Sequence, residues 1–211
     1  MRKTLTLLLA LLPALTALGQ MDTTALRIHS LQLAPAVTSV ALTGTGALLT
    51  YVPAVSQYAI DLRNAVVEAD LPRIHVDDYL QYVPAAVPLA LSLAGVKGRH
   101  STGRMALLEG GSYLLGAGWL NAFKYKLGIL RPDGTTYNSF PSGHTFMAFT
   151  GAELVRREYG ESHPWVAAAA YPDGATVAIM RIYNNRHWAG DVLAGAGLGI
   201  LSVTLVYWAL D

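Results

Sequence analysis

The sequence predicts an all-α bundle of about five to six core helices embedded in a membrane, and three features point there. Hydrophobic residues fill 53% of the 211 positions and charged residues only 14%, against about 25% charged in an average soluble domain. Charge-free stretches recur at Leu31–Ile60, Leu80–Val96 and Val192–Leu210, the last of them close to the roughly 20 apolar residues that span a bilayer. No segment shows the alternation of a half-buried strand, and no internal repeat divides the chain.

The elements follow in order. Arg2 and Lys3 precede an apolar run from Leu5 to Leu12, and Ala17-Leu18-Gly19 has the small residues of a cleavage site. Residues 1–19 therefore read as a signal peptide, with an uncleaved N-terminal anchor as the alternative, and either implies export. Residues 20–211 form one domain. Pro35 and Pro53 bracket a helix near Ala36–Val52. Asp61 to Asp78 mixes charges with aliphatics and reads as an interfacial segment. Leu80–Val96, Met105–Phe123, Thr145–Arg157, Trp165–Met180 and Val192–Leu210 read as further helices. Gly195 and Gly199 lie four apart in the last one, where small residues permit close packing in lipid.

Composition also excludes chemistry. Without cysteine there is no disulfide, thiolate zinc site or thiol nucleophile. A formal charge of +1 with no basic stripe gives no reason to expect nucleic acid.

Three constellations carry chemistry. Lys124 and Arg131-Pro132 are seven apart, a spacing that returns to one helix face, so a compact cation and a planar fork would share one pocket. Pro141-Ser142-Gly143-His144 precedes an apolar helical run. Ser142 is suited to cap that helix, its free N–H groups favour an anion, Gly143 lets a ligand approach closely, and His144 can donate a proton. Arg181, His187 and Asp191 form the third. His187 and Asp191 are face neighbours at helical spacing, and a carboxylate beside an imidazole fixes its tautomer and stabilises the charge that develops when the other nitrogen attacks. Singly, these motifs also fit solvated cations, a plain helix cap and a structural His–Asp bond.

In this order and spacing they resemble the phosphatidic acid phosphatase type 2 superfamily, whose pattern is Lys-x6-Arg-Pro, Pro-Ser-Gly-His and Ser-Arg-x5-His-x3-Asp. The resemblance covers Lys124–Asp191 strongly, with one departure: Met180 stands where the family has serine. It implies that His187 attacks phosphorus and becomes a phosphohistidine, that Asp191 orients it, and that His144 protonates the departing alcohol. It further implies that Lys124, Arg131, Ser142, the Gly143 amide and Arg181 hold the phosphate oxygens, with no metal or other cofactor.

Lys97, Arg99 and Arg104 lie in one short connection and Arg156 and Arg157 in another, which the positive-inside rule puts on the cytoplasmic side. All three motifs then face outward, and the expected substrate is a lipid phosphate of the bacterial envelope: phosphatidate, polyprenyl diphosphate or a lipid A phosphate. A cleaved leader starts the chain outside, which leaves the helix near Ala36–Val52 no crossing, whereas the family's six-helix arrangement needs that crossing. A soluble periplasmic acid phosphatase acting on small phosphate esters is the alternative, followed by a vanadium haloperoxidase or a non-catalytic lipid-binding protein.

Overall fold

The computed structural model describes residues 23–211, with side chains from Leu33 onward. The leader expected at residues 1–19 lies outside the described residues. Eight helices follow: α1 (Thr23–Tyr51), α2 (Pro53–Glu68), the single turn α3 (Asp77–Leu80), α4 (Val83–Leu93), α5 (Thr102–Leu127), α6 (Gly143–Tyr159), α7 (Pro164–Tyr183) and α8 (Ala189–Leu210). No strand occurs among the described residues. Six of the helices, α1 and α4 to α8, pack side by side, and α2 and α3 lie in the connection between α1 and α4.

Two boundaries differ from expectation. Pro35 was expected to stop the first helix, yet it lies inside α1, which runs on upstream to Thr23. Proline is tolerated within helices when neighbours re-satisfy the freed carbonyl, and packed apolar helices meet that condition. Leu80–Val96 contracts to the eleven residues of α4, with Pro84 in its first turn. At 1.5 Å per residue such a helix covers about 16 Å, roughly half the hydrocarbon thickness of a bilayer. Among the described residues two helical stretches are long and apolar enough to span, Leu33–Tyr51 and Ala189–Leu210.

The bundle is organised around α6 and α8. Eleven residues of α6 are buried, and α8 is 72% buried over its apolar window although it is the more hydrophobic of the two candidate spans. Close backbone approach explains how α8 sits inside. A Cβ on Gly195 would meet the Ser142 carbonyl at 2.5 Å, and one on Gly199 would meet the Phe146 carbonyl at 2.8 Å, so the predicted small-residue pair docks α8 on α6. On its other side, a Cβ on Gly46 of α1 would lie 2.5 Å from the Gly190 carbonyl and 2.6 Å from the Ala194 nitrogen. Near the middle of the same contact, a Cβ on Gly197 would strike Thr43 Oγ1. In a bilayer, where burying apolar surface gains little, such contact is the main source of helix association.

Four buried hydroxyls are satisfied within their own helices and so do not disturb this packing. Ser112, Thr150, Ser202 and Thr204 each donate to a carbonyl four residues earlier at 2.7–2.8 Å. Large apolar side chains instead face outward: Val37, Val40 and Leu48 on α1 and Leu107 and Leu114 on α5 are exposed. An apolar exterior over a glycine-rich, close-packed interior is the inverse of a soluble bundle.

Chain direction puts the two ends in different company. The connections after α1, α5 and α7 meet at one end and carry all three motifs. The connections between α4 and α5 and between α6 and α7, with Lys97, Arg99, Arg104, Arg156 and Arg157, lie at the other. Because α1 runs antiparallel to α8, its amino end is at this basic end, as the six-helix arrangement requires.

A matched pair of substitutions tests the α1–α8 contact. A Cβ on Gly44 meets nothing within 4 Å, whereas one on Gly46 strikes backbone. Gly44→Ala should leave stability unchanged or raise it by up to about 1 kcal/mol. Gly46→Ala should cost about 1–3 kcal/mol through overpacking. Thermal unfolding in detergent reads the difference, and equal midpoints would refute the contact.

Candidate active site

The site forms where α5, α6, α7 and α8 bring their motif ends together, and each side chain is placed by a local feature. α5 ends at Leu127 because Gly128 adopts a left-handed conformation, φ 56° and ψ 42°. Arg131 therefore lies in a loop and not one helical face along from Lys124, contrary to the expectation from spacing. The two cations still converge, because Lys124 Nζ donates to the Asn138 carbonyl at 2.7 Å and Arg131 Nε donates to Asn138 Oδ1 at 2.9 Å.

Ser142 caps α6 as its sequence position predicted. Its Oγ accepts from the Thr145 amide at 3.4 Å and from Thr145 Oγ1 at 3.0 Å, which leaves its own proton free to donate. Gly143 is the first residue of α6, so its amide is among those without a partner inside the helix. His144 follows on the first turn, with its Nε2 2.9 Å from Asp78 Oδ1.

His187 and Asp191 meet as predicted, although only Asp191 is helical. His187 lies in the connection before α8, and Asp191 sits in the first turn, where its Oδ2 accepts from the Trp188 amide at 2.9 Å. The same oxygen accepts from Ser139 Oγ at 2.5 Å and lies 3.3 Å from His187 Nδ1. With Nδ1 turned to a carboxylate, the ring carries its proton there and presents Nε2 as a lone pair, to which no described residue donates. Burial pushes the His187 imidazole down to about 4, against the opposing pull of Asp191 and with further depression from Lys124 and Arg131. The ring is thus neutral at ordinary pH.

Arg181, 3% exposed, lies in the last turn of α7, and its carbonyl accepts from the amides of Arg186 and His187 at 2.9 and 3.2 Å, which folds the intervening loop back on itself. Its Nη1 donates to Asp77 Oδ2 at 2.6 Å and to Asp78 Oδ1 at 3.2 Å, and its Nε is buried without a partner. His75, Asp78, Arg131, His144, Arg181 and Arg186 line a cavity of about 390 Å³. His187 is buried beside it, next in the chain to Arg186, and is only 2% exposed. Among the described residues no group of His, Asp or Glu is arranged to hold a metal ion.

The cations depress one another. Burial lowers Lys124 to about 8, with Arg131 and Arg181 adding to the effect and Asp191 opposing it. Arg131 is lowered by burial and then by Arg186 and Arg181. His144 is lowered by burial and Arg181, against the pull of Asp78 and Asp77. Burial is the larger cause in each case and the neighbouring cations add to it, so the cavity concentrates positive charge.

Several contributors were invisible in the motifs. Ser139, fully buried, belongs to the His187–Asp191 network; a polar residue close before Pro141 was its only signal. Arg186, held by Asp133 at 2.8 Å, adds a further cation. His75, within the segment read from sequence as interfacial, lines the cavity. Asp77 and Asp78 come from a segment about a hundred positions away from Arg181, and no local pattern marks them.

Known proteins resemble the chain in sequence and in fold. Residues 106–211 match the PAP2 superfamily. A lipid A 1-phosphatase of Porphyromonas gingivalis is 47% identical over 137 residues, 64% of this chain and 31% of that protein, so the chain spans about a third of the length of this curated relative. A transmembrane PAP2-type phosphatidylglycerolphosphate phosphatase from Bacillus subtilis superposes with a TM-score of 0.51 at 21% identity, over 84% of this chain and 96% of that one. LpxE of Aquifex aeolicus superposes with a TM-score of 0.52 at 22% identity, over 71% and 94%. The match takes in the carboxyl-terminal half of the chain with all three motifs, and on that ground this chain belongs to the PAP2 superfamily.

Proposed function

We propose that the chain is a phosphatase acting on phosphorylated lipids at the outer face of a bacterial membrane, through a phosphohistidine at His187. The observation that carries this reading is a neutral, buried imidazole oriented by Asp191 next to a cavity walled by Arg131, His144 and Arg181. His187 Nε2 attacks phosphorus and the ester P–O bond breaks. The departing oxygen takes a proton from His144, which then accepts one from the water that cleaves the P–N bond, and inorganic phosphate leaves with both histidines restored. Lys124, Arg131, Arg181, the Ser142 hydroxyl and the Gly143 amide hold the equatorial oxygens. Phosphoryl transfer asks for little covalent work, so charge held in place beforehand supplies most of the acceleration.

A lipid substrate is supported by the exposed apolar flanks of α1 and α5 and by the similarity to a lipid A 1-phosphatase. Outward orientation is supported by the basic residues at the end away from the motifs. Trp165 and Trp208 at that end and Trp119 and Tyr125 towards the other are exposed, as aromatic belts are.

Three outcomes test this reading. Brief incubation with a radiolabelled phosphate ester should label the protein in an alkali-stable, acid-labile form. His187→Ala should abolish the label and lower kcat on the order of ten-thousandfold or more; full activity in that variant would end the proposal. In kcat/KM, activity should rise through pH of about 4 as His187 loses its proton. It should fall again below His144's ordinary 6.5 as that proton donor titrates, before Lys124 discharges near 8. An optimum above pH 8 would contradict this assignment of acid and nucleophile. Phosphate release in detergent should be faster from phosphatidate, a polyprenyl diphosphate or a lipid A phosphate than from small soluble esters; the reverse order would point to a broad-specificity acid phosphatase.

A further inference from the structure

His144 has a carboxylate partner of its own. Asp78 Oδ1 lies 2.9 Å from His144 Nε2 and 3.2 Å from Arg181 Nη1, and both Asp78 and His144 line the cavity. Asp78 lies outside the 106–211 segment that matches the family, so the three motifs do not account for it.

Its place is set by bonds that need no substrate. The strap from Pro72 to Asp78 is tied to the loop that carries His187. Tyr183 donates its hydroxyl proton to the Pro72 carbonyl at 2.7 Å, and the Asn184 amide exchanges hydrogen bonds with Ile74 at 3.1 and 2.7 Å. Asn184 Nδ2 also donates to Asp77 Oδ1 at 3.0 Å. Gln81 Nε2 donates to the Asp78 carbonyl at 2.9 Å, and the Asp78 amide donates to the His75 carbonyl at 3.2 Å. The two neighbouring acids have different tasks. The Asp77 side chain is fully buried and neutralises Arg181, while that of Asp78 is 48% exposed and reaches His144 from the cavity side.

We propose that Asp78 is the positioning residue of the proton donor, so that the site holds two carboxylate–imidazole pairs, Asp191 with His187 and Asp78 with His144. The inference rests on the phosphatase reading above. Asp78 accepts from Nε2–H, which fixes the ring and leaves Nδ1 as the nitrogen that hands its proton to the departing oxygen. The proton comes from Nδ1, the P–O bond electrons go to the leaving oxygen, and His144 is left neutral. Asp78 also favours the charged imidazolium. The groups facing His144 are Arg181 from α7, Asp77 and Asp78 from α3, and His75, Arg131 and Arg186 around the cavity. Arg181 opposes protonation of the ring and the two aspartates favour it. Removing Asp78 shifts that balance towards the neutral ring.

Leaving-group chemistry separates this role from a structural one. An alkyl phosphate needs its departing oxygen protonated, whereas a dinitrophenyl phosphate expels a stable anion. Asp78→Asn in the full chain in detergent should lose at least about tenfold more kcat/KM on the alkyl ester than on the aryl ester, part of the about 10²- to 10⁴-fold that a general acid supplies. The descending limb of its pH profile should move to lower pH, and Asp78→Glu should recover part of the loss. On a His144→Ala background the same Asp78→Asn change should cost nothing further on either ester. Equal losses on both esters with an unmoved pH limb, or full additivity with His144→Ala, would overturn the role of Asp78. If Asp78→Asn fails to accumulate, the aryl-to-alkyl ratio of Asp78→Glu against wild type decides: a raised ratio supports the role and an unchanged one overturns it. Wild-type protein that releases phosphate from neither ester would overturn the phosphatase reading and this inference together.

Discussion

The Asp191 carboxylate is the constraint on which the rest of the site depends. It is fully buried, and a buried carboxylate persists only where donors surround it. Here one oxygen, Oδ2, takes the Trp188 amide, the Ser139 hydroxyl and His187 Nδ1, and so starts α8, ties in the loop before Pro141 and orients the imidazole. The Asp191 carbonyl accepts from the Ser142 amide at 2.9 Å, which holds the cap of α6 against the start of α8. That junction sits where Gly195 lets the two backbones touch. Helix packing and the orientation of the imidazole therefore have the same origin, because a shift of α8 relative to α6 would displace the carboxylate that holds His187.

Electrostatics in the cavity follow from an uneven pairing of charges. Arg181 is committed to Asp77 by a buried ion pair, the kind whose partners are costly to separate because each would be left uncompensated. Arg131 and Lys124 have only the neutral Asn138 as hydrogen-bond partner, and both are depressed by burial and by neighbouring cations. Their charge is thus the more available to an incoming anion. A bound anion would relieve their repulsion.

What could be read from the sequence was whatever depends on short spacing. Ser142 as a cap, Asp191 four residues after His187, and the close approach at Gly195 and Gly199 are local consequences of backbone geometry, and all are present. The convergence of Lys124 and Arg131 was anticipated for the wrong reason. Helical periodicity placed them together, but Gly128 breaks the helix between them and Asn138 reunites them. Pro35 misled because the local penalty for proline in a helix is overridden by packing along α1. Asp77, Asp78, His75 and Ser139 were out of reach for a different cause. Their partners are brought to them by the fold over long separations, and an acidic pair ahead of an apolar run has no pattern of its own.

The two ends of the bundle use the same ionic groups to opposite effect. At the basic end Glu153 is fully buried and accepts from Arg156, Arg157 and Tyr171, with Arg156 bound through two nitrogens at 2.7 and 2.6 Å. Within this cluster the acid is matched inside the protein, and the bond from Tyr171 braces α6 against α7. At the motif end the matching stops short: Arg181 Nε and Asp191 Oδ1 are buried without partners, and Arg131 and Lys124 have no acid. Buried polar groups left unpaired cost stability, and they persist where something other than stability selects them. The motif end thus keeps two cations, Lys124 and Arg131, without an acid among the described residues, so that an added anion would be favoured there, near the imidazole that Asp191 orients.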